Sequence, residues 1–317
     1  MAAEPQINPH YTKVKTQADA WITRVMKKDE AWAARNASVD LAFLASCWAP
    51  GAGDEGLRVV VDWNHWVFLF DDRRRNDPGF GTGLMRAEFD EGHLRNDLAA
   101  ARREINMMLA VMDGLLRVQE EDAVRFVFQT VCDRVGKQSS LDLQKCWKTM
   151  HQRYFDGLLQ QVEDTQAQLS HTRSIQQYMD MRAHTIGVYP AIALALYAAG
   201  VDLPERVLQH PCLQECMRIS AELVTLVNDI ASFQKDLMLN VELNIIILVR
   251  RNGKGINTQK AVDEIGVMIK ACYQRWHHAL AGMPTWGEKI DREVCNFVDL
   301  QDGPVSWRPR NGSADNA

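Results

Sequence analysis

Asn228-Asp229-Ile230-Ala231-Ser232-Phe233-Gln234-Lys235-Asp236 closes a long apolar, helix-like run that begins at Leu213. Positions i, i+4 and i+8 share one side of a helix. The Asn228 amide oxygen, the Ser232 hydroxyl and the Asp236 carboxylate therefore stand in one column. All three are hard oxygen donors, a set that suits Mg²⁺ far better than zinc or copper. Lys235 lies beside them, within reach of a phosphate. Any one of these residues alone reads as a polar helix end. The set reads differently, because Asn and Ser are poor choices for a helix interior.

Two further landmarks lie upstream. The apolar, aromatic run Val59-Val60-Val61-Asp62-Trp63-Asn64-His65-Trp66-Val67-Phe68-Leu69-Phe70 ends at Asp71-Asp72. Arg182 sits in Tyr178-Met179-Asp180-Met181-Arg182-Ala183-His184-Thr185-Ile186-Gly187, 46 residues before Asn228. N-D-x-x-S-x-x-K-D closely resembles the second metal motif of class I terpene synthases. Asp71-Asp72 resembles their first, Asp-rich motif, D-D-x-x-D. Arg182 and the break after it resemble the family's diphosphate-sensing Arg and its helix break. The landmarks span residues 59–236 in the family's order and spacing. Asn8-Pro9-His10 followed by Trp21 is similar to fungal, mushroom-type sesquiterpene synthases in particular.

The resemblance implies an all-α, single-domain antiparallel helical bundle over residues 1–303. It implies Mg²⁺-dependent ionisation of a linear prenyl diphosphate, with farnesyl diphosphate expected, followed by cyclisation. Three Mg²⁺ ions with substrate are implied. Asp71 with Asp72 or Asp90 would hold two, and Asn228, Ser232 and Asp236 the third. Arg182 and Lys235 would bind diphosphate. Asn64 and Phe68, seven and three residues before Asp71, share its helical face as candidate pocket residues. The chemistry accounts for such a set. An allylic C–O bond ionises when the leaving diphosphate is stabilised by metal ions and cationic side chains. The resulting cation needs a dry, aromatic-lined pocket.

Two stretches depart from the family pattern. After Phe70-Asp71-Asp72 comes the basic, Gly/Pro-rich segment Arg73 to Ala87, and only then Glu88-Phe89-Asp90-Glu91-Gly92-His93-Leu94. Removing 73–87 restores Asp-Asp-Glu-Phe-Asp, with Asp90 as the displaced third carboxylate. The segment reads either as a translated intron or as a surface loop, and Asp77 is a second candidate third acid. Residues 304–317 read as a frayed tail. They carry no Arg-Tyr pair of the kind the family places there, and Arg308 and Arg310 are their only cations.

Composition agrees with a large helical domain. Of 317 residues, 46% are hydrophobic, enough for a substantial core. Lys+Arg 36 against Asp+Glu 41 gives a net charge of −5, with no nucleic-acid footprint. Seven cysteines without a C-x-x-C suggest a reduced, cytoplasmic protein. The longest apolar run, Val188 to Val201, is too short to span a bilayer, so no stable membrane insertion is expected. A monomer or homodimer is expected. Periodicity predicts helices over 14–29, 32–47, 54–71, 91–117, 119–135, 139–167, 172–185, 188–199, 211–237, 239–252, 257–281 and 286–299. A chain-elongating prenyltransferase would carry a second Asp-rich motif where this chain has Asn228 and Ser232. A non-catalytic helical relative is the alternative from another class, separated by a test for metal-dependent diphosphate release.

Overall fold

Helices fill nearly all of the residues that the computed structural model describes, which are 6–71, 94–167, 173–238, 243–253 and 255–302. No strand occurs among them. In chain order the helices are α1 (Tyr11–Val25), α2 (Glu30–Val39), α3 (Leu41–Trp48), α4 (Asp54–Asp71), α5 (Leu98–Met112), α6 (Ala123–Gln138) and α7 (Leu141–Gln166). There follow α8 (Ile175–Thr185), α9 (Val188–Ala199), α10 (Glu205–Leu208), α11 (Pro211–Met238), α12 (Ile245–Asn252), α13 (Thr258–Ala281) and α14 (Glu288–Asp302). A 3-10 turn, Leu94–Asn96, precedes α5.

Local chemistry sets many of these boundaries. Asp29, Ser140 and Asn257 cap α2, α7 and α13 by accepting from backbone N–H groups at 2.8, 3.1 and 2.9 Å. Each such cap contributes about 1 kcal/mol. Ser174 and Gln177 form a reciprocal capping box at the start of α8. The single helix expected over 32–47 is two helices. Asp40 adopts a left-handed conformation (φ 57°, ψ 54°), ends α2, and starts α3 by accepting from Phe43 N. A short polar side chain tolerates that backbone where most residues do not. The helix expected over 91–117 is also shorter. Asp97 caps α5 by accepting from Ala100 N, and the chain turns after Met112.

Most of the apolar run Val188–Val201 forms the core helix α9. Every residue from Val188 to Ala198 is buried, and α9 packs against α4, α7, α11 and α14. Among the described residues no helix is long and apolar enough to cross a membrane. A second cluster seats the C-terminal half of α4 on α6 and α7. Trp66, fully buried, stacks on Phe128 at 4.3 Å and on Phe70 at 5.1 Å. Burying each such side chain is worth roughly 1.5–3 kcal/mol. His151 sits among these rings. Its Nε2 accepts from Trp63 Nε1 at 3.0 Å, and its Nδ1 lies 3.0 Å from Trp147 O. An indole nitrogen only donates and a carbonyl only accepts, so the imidazole is neutral with its proton on Nδ1. Asn8, from the N-terminal motif, is buried and donates to Ala49 O and Ala52 O at 2.7 and 2.8 Å. It pins the chain start to the loop after α3.

Two features position the site. Gly187, at φ 78°, separates α8 from α9 and supplies the expected break after Arg182. Gly157 on α7 lets the end of α8 come close: a Cβ there would meet His184 Cβ at 2.8 Å.

Candidate diphosphate and metal site

The column predicted on α11 exists. Asn228 is exposed, Ser232 is half-buried, and Asp236 is buried. Ser232 Oγ donates to Asp236 Oδ2 at 2.7 Å, so the last two donors already touch. Arg182 reaches across from α8, with Nη2 3.4 Å from Asn228 Oδ1 and 3.7 Å from Asp229 Oδ1. The family resemblance implied one site for Arg182 and Asn228, 46 residues apart, and the two side chains are in contact in the fold. Lys235 is half-buried on α11, one residue off the column.

Behind the column lies a node that sequence reading did not assign. Asp229 is 2% exposed. Its Oδ2 accepts from the Tyr178 hydroxyl at 2.6 Å and from Ile245 N at 2.8 Å. Burial pushes the Asp229 carboxyl above the usual carboxylate range, while Arg182 and the two donors pull it back. Asn244 closes the node from the start of α12, donating to Asp229 O and to Asp236 Oδ2 at 2.8 and 2.9 Å. Tyr178 was legible only as the residue one helical turn before Arg182. Nothing local marked Asn244.

The first metal motif is only partly described. α4 ends at Asp71. The Asp71 side chain, Asp72, Asp90 and the segment 73–87 lie outside the described residues, as does the tail 304–317. The two pocket candidates on α4 behave differently. Phe68 is 40% exposed, but Asn64 is fully buried and donates to Leu41 O at 3.2 Å. Asn64 is committed to packing α4 on α3, and neither residue lines the apolar cavity that the fold does contain.

That cavity, of about 100 Å³, lies between α3, α9, α11 and α14. Trp48, Val188, Ile192, Val224 and Phe297 are among its walls. Val188 directly follows the Gly187 break. Val224 stands one turn before Asn228 on the same i+4 row, about 6 Å along the axis. A mainly aliphatic space with two aromatic walls thus lies one helical turn from the head of the oxygen column. A larger polar pocket of about 370 Å³ lies at the opposite end of α4. Its cations are already paired, Arg58 and Arg134 with Asp62 and Lys13 with Asp54.

The oxygen donors fit a hard divalent cation. Two neutral oxygens and one carboxylate lie along one helix row, and the carboxylate is held by neighbouring donors. Among the described residues no group of three His, Cys, Asp or Glu side chains forms a metal cluster, so a zinc-type centre is not built there. None of the seven cysteines is in a disulfide. The helical fold thus brings together an oxygen column, an Arg in contact with its head and an apolar cavity one helical turn away.

Comparison with known proteins gives the family. The model of terpene synthase family 2, C-terminal metal binding, matches residues 62–275. A (1R,4R,5S)-(-)-guaia-6,10(14)-diene synthase of Fusarium proliferatum is 39% identical over 98% of this chain and 78% of its own length. A (+)-eremophilene synthase of Gibberella fujikuroi is 40% identical over 94% of this chain and 80% of its own. The crystal structure of the SVS_A2 protein from ancestral sequence reconstruction superposes with a TM-score of 0.79 at 20% identity. That match covers 95% of this chain and 85% of the other, and shows the fold alone. The chain belongs to the terpene synthase family, whose members act on prenyl diphosphates with divalent metal ions.

Proposed function

We propose that this terpene synthase ionises farnesyl diphosphate and cyclises it to a sesquiterpene, releasing diphosphate and a proton. The observation that carries the reading is the contact of Arg182 with Asn228 at the head of the Asn228, Ser232, Asp236 column. The names of the two fungal relatives, both sesquiterpene-type synthases, support the choice of substrate.

Asn228, Ser232 and Asp236 would hold one Mg²⁺. Asp71, with Asp72 or Asp90, would hold two more. Bound Mg²⁺ stabilises negative charge on the leaving diphosphate. Arg182 donates hydrogen bonds to the diphosphate oxygens, exchanging its present contacts with Asn228 and Asp229 for them, and Lys235 adds a second cation. The allylic C–O bond breaks with both electrons leaving on the diphosphate. The cavity walls exclude water, and the ring faces of Trp48 and Phe297 stabilise the carbocation. The catalytic domain comprises residues 1–303, with 73–87 as an insert and 304–317 as a tail. It acts in the cytoplasm, a reading supported by seven cysteines without a disulfide, and as a monomer or homodimer.

The test is incubation with farnesyl and geranyl diphosphates plus Mg²⁺, read by gas chromatography and diphosphate release. Farnesyl diphosphate should give a sesquiterpene, and chelation should abolish it. Asn228→Ala and Asp236→Ala should lower turnover by about a hundredfold or more with helicity intact, since each removes part of a stabilisation worth several kcal/mol. Unchanged turnover in both variants sinks the assignment. The insert within the Asp-rich motif favours a second reading, a relative that binds metal and diphosphate without turnover. Pyrophosphate binding with no product from either substrate would establish it.

A further inference from the structure

Asn244 is fully buried and makes three hydrogen bonds. Its Oδ1 accepts from Ile246 N at 2.9 Å and caps α12. Its Nδ2 donates to Asp229 O at 2.8 Å and to Asp236 Oδ2 at 2.9 Å. The orientation of the amide is fixed by its partners, because a backbone N–H can only donate and a backbone carbonyl can only accept. Ser232 donates to the same Asp236 oxygen. Oδ2 therefore carries two donors, while no hydrogen bond to Oδ1 is present among the described residues.

We infer that Asn244 is a positioning residue for the α11 metal column, holding the Asp236 carboxylate by Oδ2 so that Oδ1 is the oxygen offered to a divalent cation. The inference rests on the reading of Asn228, Ser232 and Asp236 as cation donors. Three physical points carry it. The amide also bonds the backbone of α11 at Asp229, so the orientation of the carboxylate is referenced to the helix that carries the other two donors. The amide is neutral, so it does not compete with the cation for the carboxylate as Lys or Arg would. The bond spans eight residues to Asp236 and crosses from α12 to α11, so the start of α12 holds the end of α11. Groups that orient a ligand from behind typically contribute ten- to a hundredfold in metal affinity.

A cap alone would need none of this, and substitution separates the two roles. Ser caps helices nearly as well as Asn but is too short to hold Asp236. The measurement is the melting temperature in inorganic pyrophosphate as Mg²⁺ is raised, which needs no turnover. Asn244→Ser keeps the cap but loses the two donor bonds, so it should melt below wild type without ligands, and its half-maximal Mg²⁺ concentration should in addition rise by about tenfold or more, a shift that loss of stability alone does not produce. Asn244→Asp, which caps α12 but offers no donor to Asp236, is the second variant and should also raise it. Asn257→Ala removes a cap of the same kind on α13 and should lower the melting temperature without moving the Mg²⁺ midpoint. An unchanged or lower midpoint in whichever Asn244 variant folds overturns the inference while the site reading stands. If wild type itself shows no Mg²⁺-dependent stabilisation with pyrophosphate, the site reading fails and this inference fails with it.

Discussion

Tyr178 on α8 donates its hydroxyl to the buried carboxylate of Asp229 on α11 at 2.6 Å, which ties the helix carrying Arg182 to the helix carrying Asn228. Asp229 keeps Ile245 N as a donor and Arg182 as a nearby charge, so the loss of Tyr178 leaves it held but short of one partner. Tyr178→Phe should therefore destabilise the protein by about 1.5–3 kcal/mol, the range for a hydrogen bond to a charged group. It should also weaken pyrophosphate binding, because Arg182 loses part of its frame. Urea unfolding checks the first effect and calorimetry the second. A variant as stable as wild type would show that the bond contributes nothing net.

Gly157→Ala places a methyl 2.8 Å from His184 Cβ, on the last turn of α8. Two carbons do not share that distance, and neither is the far end of a flexible side chain. α8 must shift away from α7, and Arg182 shifts with it. Overpacking of this kind costs about 1–3 kcal/mol. The expected outcome is a lower melting temperature together with a raised KM for the diphosphate substrate. A normal KM in a folded variant would mean that the end of α8 yields without moving Arg182.

His151 sets a pH dependence on stability. Burial lowers its pKa to about 3, well under the value near 6.5 of an exposed imidazole. As pH falls below 6.5 the unfolded chain binds a proton that the folded chain refuses. Protonation of Nε2 would cost the hydrogen bond from Trp63. Stability from this group is thus full above the unfolded pKa, is lost as pH falls, and levels off near pH 3. At pH 5 the loss is about 2 kcal/mol. His151→Phe should flatten the difference in unfolding free energy between pH 7 and pH 5 by that amount. An unchanged slope would place the dependence on other groups.

Deletion of Arg73 to Ala87 should raise activity or create it. The deletion brings Asp90 to the third acidic position after Asp71 and Asp72, one helical turn away, in D-D-x-x-D register. It also removes Arg73, Arg74, Arg75 and Arg86, four cations close in sequence to those carboxylates that would compete with Mg²⁺ for them if they reach them. Product formation by the full chain and by the deletion variant, measured side by side across Mg²⁺ concentration, decides. Loss of an activity that the full chain possesses would make the insert a working part.

The sequence by itself determined the helical class, the oxygen column on α11 and the break after Arg182. Each is a local property: apolar periodicity, i+4 spacing or a glycine between two helical runs. The pairing of Arg182 with Asn228, 46 residues apart, was legible only through the resemblance to a known family. It also misread local detail, running one helix through Asp40, because nothing in a window of apolar spacing marks a residue that leaves helical φ and ψ for a single position. The tertiary structure alone decided which groups stand behind the column. Tyr178 meets Asp229 across 51 residues, Trp63 meets His151 across 88, and Asn244 reaches back from the next helix to Asp236. The same holds for Asn64, which shares a helical face with Phe68 yet is buried against α3 while Phe68 is exposed. Spacing fixes the direction of a side chain from its own helix, but only the packing of another helix fixes what it meets there.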